Sequence, residues 1–207
     1  MSSSEQKEKR TKWIMTEQKF LTDDEIGKLS KYIRQLSKSD NRRDRVKAII
    51  LGLGIGAGLR ASEIASIRTY DLNVSKGMSS LLVCNGKGGK TAPVIIGPKL
   101  KTQLRLYLNW KKENEYAEEG YLLINERGMK YTRIGIYKIV KQAFKTLKFP
   151  TRYSPHSLRH SFATMIYSSS KCLRTTSIQC RHSSTDVTSV YAGVKNEDVI
   201  NAMQKFG

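Results

Sequence analysis

"VKAIILGLGIGAGLRASEIASI", residues 46–67, is the stretch on which the fold turns, because two architectures compete for it. Residues 52–57, "GLGIGA", match G-x-G-x-x-A, and "KAIIL" before them reads as a strand, the pattern of a dinucleotide-binding turn. Asp71 even falls near the spacing of the acid that binds a ribose in such folds. Two features oppose this reading. "SIRTY", just ahead of Asp71, makes a poor central parallel strand, and no strand–helix alternation follows. The competing reading is a buried helix whose glycines admit close packing, each costing about 1 kcal/mol relative to alanine. The helix is the better account, and it moves the weight to "GLRASE", residues 58–63.

Outward from that helix the pattern is α+β: mostly helical, with a small antiparallel β-sheet. Upstream, "FLTDDEIGKLSKYIRQL" predicts a capped helix. Thr22 is the N-cap, Asp23 to Glu25 complement the helix dipole, and Ile26, Leu29, Ile33 and Leu36 form the apolar stripe. "SKSDNRRDR" is a loop or helix start. Downstream, "SSLLVCNGKGGKTAPVIIG" predicts two short strands around an Asn-Gly turn. Further helices are expected over residues 99–112, 132–147, 155–168 and 171–181. Neither an internal repeat nor a linker divides the chain after residue 20.

Charge narrows the class of function. The 207 residues carry 37 Lys+Arg against 18 Asp+Glu, a net charge of +19. Such an excess opposes compaction by self-repulsion and points to an anionic partner, either nucleic acid or a membrane surface. No apolar run approaches the ~20 residues that span a bilayer, and "MSSSEQKEKRTK" lacks the apolar stretch of a signal peptide. Basic residues recur along the whole chain, so nucleic acid is favoured over membrane. Cys84, Cys172 and Cys180, an odd number without paired spacing, suggest reduced thiols in a cytoplasm. A zinc site built from them and the histidines is disfavoured by the missing CxxC spacing.

"YSPHSLRHSFAT", residues 153–164, carries the most specific signal. Pro155 suits a first helical position, and His156, Arg159 and His160 then fall at i, i+3 and i+4, on one face. No carboxylate stands among them in the stretch, so a negative partner is expected there. Arg60 in "GLRASE", Lys87 in "NGKGGK", His156 and Arg159 in "HSLRH", His182 in "RHSS" and Tyr191 nine residues later form an ordered series. Taken together these residues resemble the catalytic domain of the tyrosine recombinases, the phage integrase family that includes the Xer recombinases. The resemblance covers roughly residues 20–207.

That resemblance implies a chemistry that suits these residue types. Arg60 and Arg159 would clamp the non-bridging oxygens of a scissile phosphate with planar forks of donors. Tyr191 would attack phosphorus to give a 3′-phosphotyrosine and a free 5′-hydroxyl. His156 would accept the phenolic proton, Lys87 would protonate the leaving oxygen, and His182 would hydrogen-bond the phosphate. Lys90 competes with Lys87 for the acid's role. Glu63, one turn after Arg60, would orient a neighbour, and His160 reads as structural. Neither metal nor nucleotide cofactor is implied, since cationic side chains supply the electrostatics. The implied partner is double-stranded DNA, bound as a dimer or tetramer, with no membrane and with room for an accessory DNA-binding protein. The expected setting is the cytoplasm, in association with the nucleoid or other DNA, for a protein of prokaryotic or viral origin.

The expected organisation is a basic arm over 1–19, a catalytic domain over 20–195, and a tail helix over 196–207 that completes its own core or docks on a neighbouring protomer. Family members carry a helical DNA-binding domain ahead of the catalytic one, and about twenty residues precede the first helix here. That half is therefore expected to be missing, and DNA binding to be weak and salt-sensitive. "LRTTSIQCRH" departs from the family, which has an apolar helix ending in Gly-His. Thr176, Ser177 and Gln179 thin the apolar face, and Arg181 replaces a glycine suited to positive φ. The segment leading to Tyr191 is thus expected to pack poorly. Two other readings share the resemblance: a type IB topoisomerase-like nicking-closing enzyme, and a catalytically decayed DNA-binding accessory protein.

Overall fold

The computed structural model describes residues 20–75, 77, 79–84, 91–114 and 120–181. The expected arm, the Asn-Gly turn with Lys87 and Lys90, His182, Tyr191 and the tail helix lie outside the described residues. Helix α1, Asp23–Ser37, starts where its capping signal predicts. Thr22 Oγ1 accepts from the Glu25 amide, and the Glu25 carboxylate accepts from the Thr22 amide. From its stripe, Leu29 and Leu36 are buried, while Ile26 and Ile33 pack against the core edge.

Helix α2, Arg42–Ala57, is the centre of the fold, packing on α1 and on four later helices. Its second half is buried almost all round, as the uniformly apolar sequence requires. The G-x-G-x-x-A residues sit inside this helix and not in a strand-to-helix turn, which removes the dinucleotide reading. Their small size is used for packing: a Cβ on Gly54 would lie 2.7 Å from Leu158 Cδ1, and one on Gly56 would lie 3.3 Å from Leu100 Cδ2.

The helix ends at Gly58, which adopts φ 60, ψ 30 and donates its amide to Leu53 O. A Cβ there would meet the Phe162 ring at 2.4 Å. Gly58→Ala combines left-handed strain with overpacking, so it is expected to lower stability by about 2–4 kcal/mol. Urea unfolding measures this, and a loss below about 0.5 kcal/mol would show that the ring moves aside freely.

The chain restarts at once as α3, Ala61–Ser66, followed by a 3₁₀ turn, Thr69–Asp71. Three antiparallel strands follow in the order β1 (Leu72–Asn73), β2 (Ser80–Cys84), β3 (Thr91–Ile95). Leu81 pairs with Val94 and Val83 with Ala92. Leu81, Val83 and Val94 are buried while Leu82 and Cys84 face out. Pro93 lies in β3, an edge strand, where a missing amide is tolerated. Two-residue β1 is too short for sequence periodicity to register.

The remaining helices are α4 (Pro98–Glu113), α5 (Arg133–Thr146), α6 (Pro155–Ser170) and α7 (Leu173–Cys180). Helix α6 packs on α2 and α7, and α3 packs on α5. The start of α6 is tied to the start of α1. Ser161 Oγ accepts from the Leu21 amide at 2.8 Å, and the Tyr153 hydroxyl lies 3.0 Å from both Phe20 O and a Glu25 carboxylate oxygen. Among the described residues, no helix is long and apolar enough to cross a membrane.

Candidate functional site: an arginine cluster on one carboxylate

Three segments far apart in sequence meet at the α2–α3 junction. Arg60 is the N-cap of α3, and its extended backbone points its amide at Glu63 in the first turn: Arg60 N–H donates to Glu63 Oε2 at 2.7 Å. The same carboxylate takes the side chain, with Arg60 Nη1 at 2.7 Å from Oε1. A glutamate three residues after the cap therefore fixes both the backbone and the guanidinium of Arg60.

Arg159 comes from α6. It shares a helix face with His156 by spacing, but their environments differ: His156 is exposed near the helix start, whereas Arg159 is buried. Arg159 Nη1 donates to Gly58 O at 2.6 Å, and Nη2 donates to Cys180 O. These carbonyls belong to the C-terminal ends of α2 and α7, where helix dipoles favour a cation. With its plane held by two acceptors, Arg159 Nη1 lies 4.0 Å from Glu63 Oε2. Arg60 and Arg159 thus flank the two oxygens of one carboxylate.

Arg181 completes the group. It follows α7 with φ 51, ψ 51, in the left-handed region that a glycine prefers. Its side chain is 3% exposed, and Nη2 donates to Glu63 Oε2 at 2.7 Å. Nη1 donates to Gln179 O at 3.0 Å. The positive φ is as the sequence comparison at this position implied; the ion pair was not legible, because its partners stand 118 residues apart. The absence of a carboxylate from the HSLRH face is likewise corrected, since Glu63 arrives from α3.

Electrostatics follow from three guanidiniums sharing one anion. Burial raises the Glu63 carboxyl, but Arg181 and Arg60 outweigh that and hold it below its ordinary value. Burial first, and then the neighbouring Arg60, bring Arg159 down to about 10. Arg159 remains a cation at neutral pH, in surroundings with more positive than negative charge. A cluster of this kind suits a further anion with several acceptor oxygens. Arg60, with 35% of its side chain exposed, is the member that solvent reaches most.

Helix α7 forms despite its polar residues, and Cys180 packs with Phe162 and Ile166. Thr176 Oγ1 donates back to Cys172 O at 3.1 Å. Among the described residues, Gln179 Oε1 and Arg181 Nε are buried without a hydrogen-bond partner, while Thr176, Gln179 and Cys180 are all buried. His160 is half-buried, beside Arg159 on α6. No three of the described His, Cys, Asp and Glu side chains converge as metal ligands. Of the sequence-predicted site residues, the structure brings Arg60 and Arg159 together and leaves His156 exposed one turn before Arg159.

Comparison with known proteins bears on the family and the fold. The model of the phage integrase family matches residues 19–198. Tyrosine recombinase XerA of Pyrococcus horikoshii is 31% identical over 208 residues, covering 99% of this chain and 67% of its own length. Tyrosine recombinase XerS of Streptococcus equi subsp. zooepidemicus is 31% identical over 182 residues, covering 86% of this chain and 49% of its own length. The chain therefore spans about half to two thirds of these relatives. In fold it is similar to XerH site-specific recombinase bound to difH substrate, with a TM-score of 0.67 at 21% identity over 87% of this chain and 51% of that one. It is also similar to XerA recombinase, with a TM-score of 0.66 at 20% identity over 90% of this chain and 64% of that one.

Proposed function

The chain belongs to the phage integrase family, and from that premise we propose that it is the catalytic domain of a site-specific tyrosine recombinase. It breaks and rejoins strands of double-stranded DNA through a covalent phosphotyrosine. The observation that carries this reading is the meeting of Arg60 and Arg159, from α3 and α6, on a single buried carboxylate with cationic charge in excess.

In this reading the guanidiniums of Arg60 and Arg159 hold the two non-bridging oxygens of one phosphodiester. Charge on those oxygens grows as phosphorus becomes five-coordinate, so the clamp binds the transition state more tightly than the ground state. The Tyr191 oxygen bonds to phosphorus while the bond to the 5′-oxygen breaks. The phenolic proton passes to His156, and the 5′-oxygen takes a proton from Lys87 or Lys90. His182 donates a hydrogen bond to the phosphate. Attack by a 5′-hydroxyl on the phosphotyrosine reverses the steps, conserving the ester's energy without a nucleotide cofactor. Assembly on DNA is as dimers or tetramers, in the cytoplasm, for a protein of prokaryotic or viral origin. The related complex of XerH with difH supports DNA as the partner.

The test uses a pool of randomised duplexes, each nicked so that the fragment bearing the 5′-hydroxyl diffuses away after cleavage. The expected result is a denaturant-resistant protein–DNA adduct, enriched for a common sequence and absent with Tyr191→Phe. An adduct that persists in Tyr191→Phe, or a chain that retains the pool without forming any adduct, overturns the proposal.

A further inference from the structure

We propose that Arg181 is a positioning residue for the anion clamp: it holds the Glu63 carboxylate away from Arg159 and so keeps Arg159 available to an incoming phosphate beside Arg60. The inference rests on the recombinase reading for what the clamp serves, although its geometry is independent of cleavage.

Two unfavourable features coincide at this residue. A left-handed backbone disfavours a residue that bears a side chain, a penalty a glycine would avoid. Burying a guanidinium is costly unless it is well paired. At 3% exposure the Arg181 side chain incurs that second cost, and its only described acceptors are Glu63 Oε2 and Gln179 O. Both costs are therefore tied to one charged contact, and that contact is with the carboxylate inside the clamp. Strain held by a specific ion pair at a site is a pointer to function.

The geometry shows what the contact prevents. Glu63 Oε2 sits 2.7 Å from Arg181 Nη2 and 4.0 Å from Arg159 Nη1. Removing the Arg181 side chain leaves Arg159 as the nearest further cation for that oxygen. A small rotation of the carboxylate would then close a full ion pair with Arg159, in addition to the one it already makes with Arg60. The cluster's charge would fall by one at the same time. The lowered proton affinity of Arg159, caused by burial and then by neighbouring guanidiniums including Arg181, fits a site kept short of counter-charge.

The experiment is a double-mutant cycle in the full chain, read as binding of inorganic phosphate by phosphorus NMR. The clamp's share is the saturable binding that Arg60→Ala removes. Arg181→Gly is expected to weaken this binding about tenfold while the melting temperature holds or rises, because the strain is relieved. Adding Glu63→Gln, which removes the competing charge, is expected to restore affinity to within about threefold of the parent. A merely structural Arg181 predicts no such rescue. Arg181→Gln runs the same comparison should glycine loosen α7. Equal binding by parent and Arg181→Gly, a double variant as weak as the single one, or no saturable binding in the parent would each overturn the inference. Failure of adduct formation with DNA, by contrast, would count against the recombinase reading and leave this cycle standing.

Discussion

Glu63→Ala is expected to cost about 3–5 kcal/mol of folding stability. The carboxylate is 5% exposed and is the shared counter-ion of Arg60 and Arg181, with Arg159 at 4.0 Å. Without it, Arg181 keeps only the Gln179 carbonyl, and two buried guanidiniums repel with no anion between them. Chemical unfolding at neutral pH measures the loss. A change under 1 kcal/mol would mean that solvent or backbone acceptors replace the carboxylate easily.

The pH dependence has a definite sign. Because the folded carboxyl titrates below its ordinary 4.5, its contribution is present in full above that pH and declines as pH falls through the lowered value. The stability gap between the parent and Glu63→Gln should therefore stay constant above 4.5 and narrow in more acidic solution.

The second large effect is kinetic. Arg159→Lys should slow adduct formation about 10²–10³-fold, the range for losing one preorganised donor to a developing oxyanion. Arg159 donates from Nη1 to Gly58 O and from Nη2 to Cys180 O while still facing the clamp. A lysine ammonium is a compact point donor and cannot reach two carbonyls and a phosphate with fixed planar geometry. Affinity for DNA should fall far less, because binding is spread over many phosphate contacts. Single-turnover adduct formation on the recovered sequence separates the two, and a rate within threefold of the parent would remove Arg159 from the clamp.

Much of the architecture was legible along the chain because it depends on local rules. Thr22 and Glu25 announce α1, and Pro155 opens α6. Which side of β2 is buried was not legible, since "SLLVC" is apolar at Leu82 on the exposed face as well as at Leu81 and Val83 on the buried one. The glycines of α2 were harder: the same letters fit a phosphate-binding turn, and only the absence of strand–helix alternation afterwards argued for a helix. Their contacts with Leu158, Leu100 and Phe162 are invisible to any local pattern. Strand β1 went unseen since two residues carry no period.

By itself, then, the sequence determined the order of the helices other than α3, the excess of positive charge, and the ordered residues that mark the phage integrase family. Each of these depends on neighbours within a few positions or on bulk composition. Only the tertiary structure decided that Glu63, Arg60, Arg159 and Arg181 share one electrostatic cluster, and that Arg181 takes a strained backbone to join it. Ion pairing at 2.7 Å depends on how α3, α6 and α7 pack around the end of α2, and no spacing along the chain encodes a contact between residues 118 positions apart.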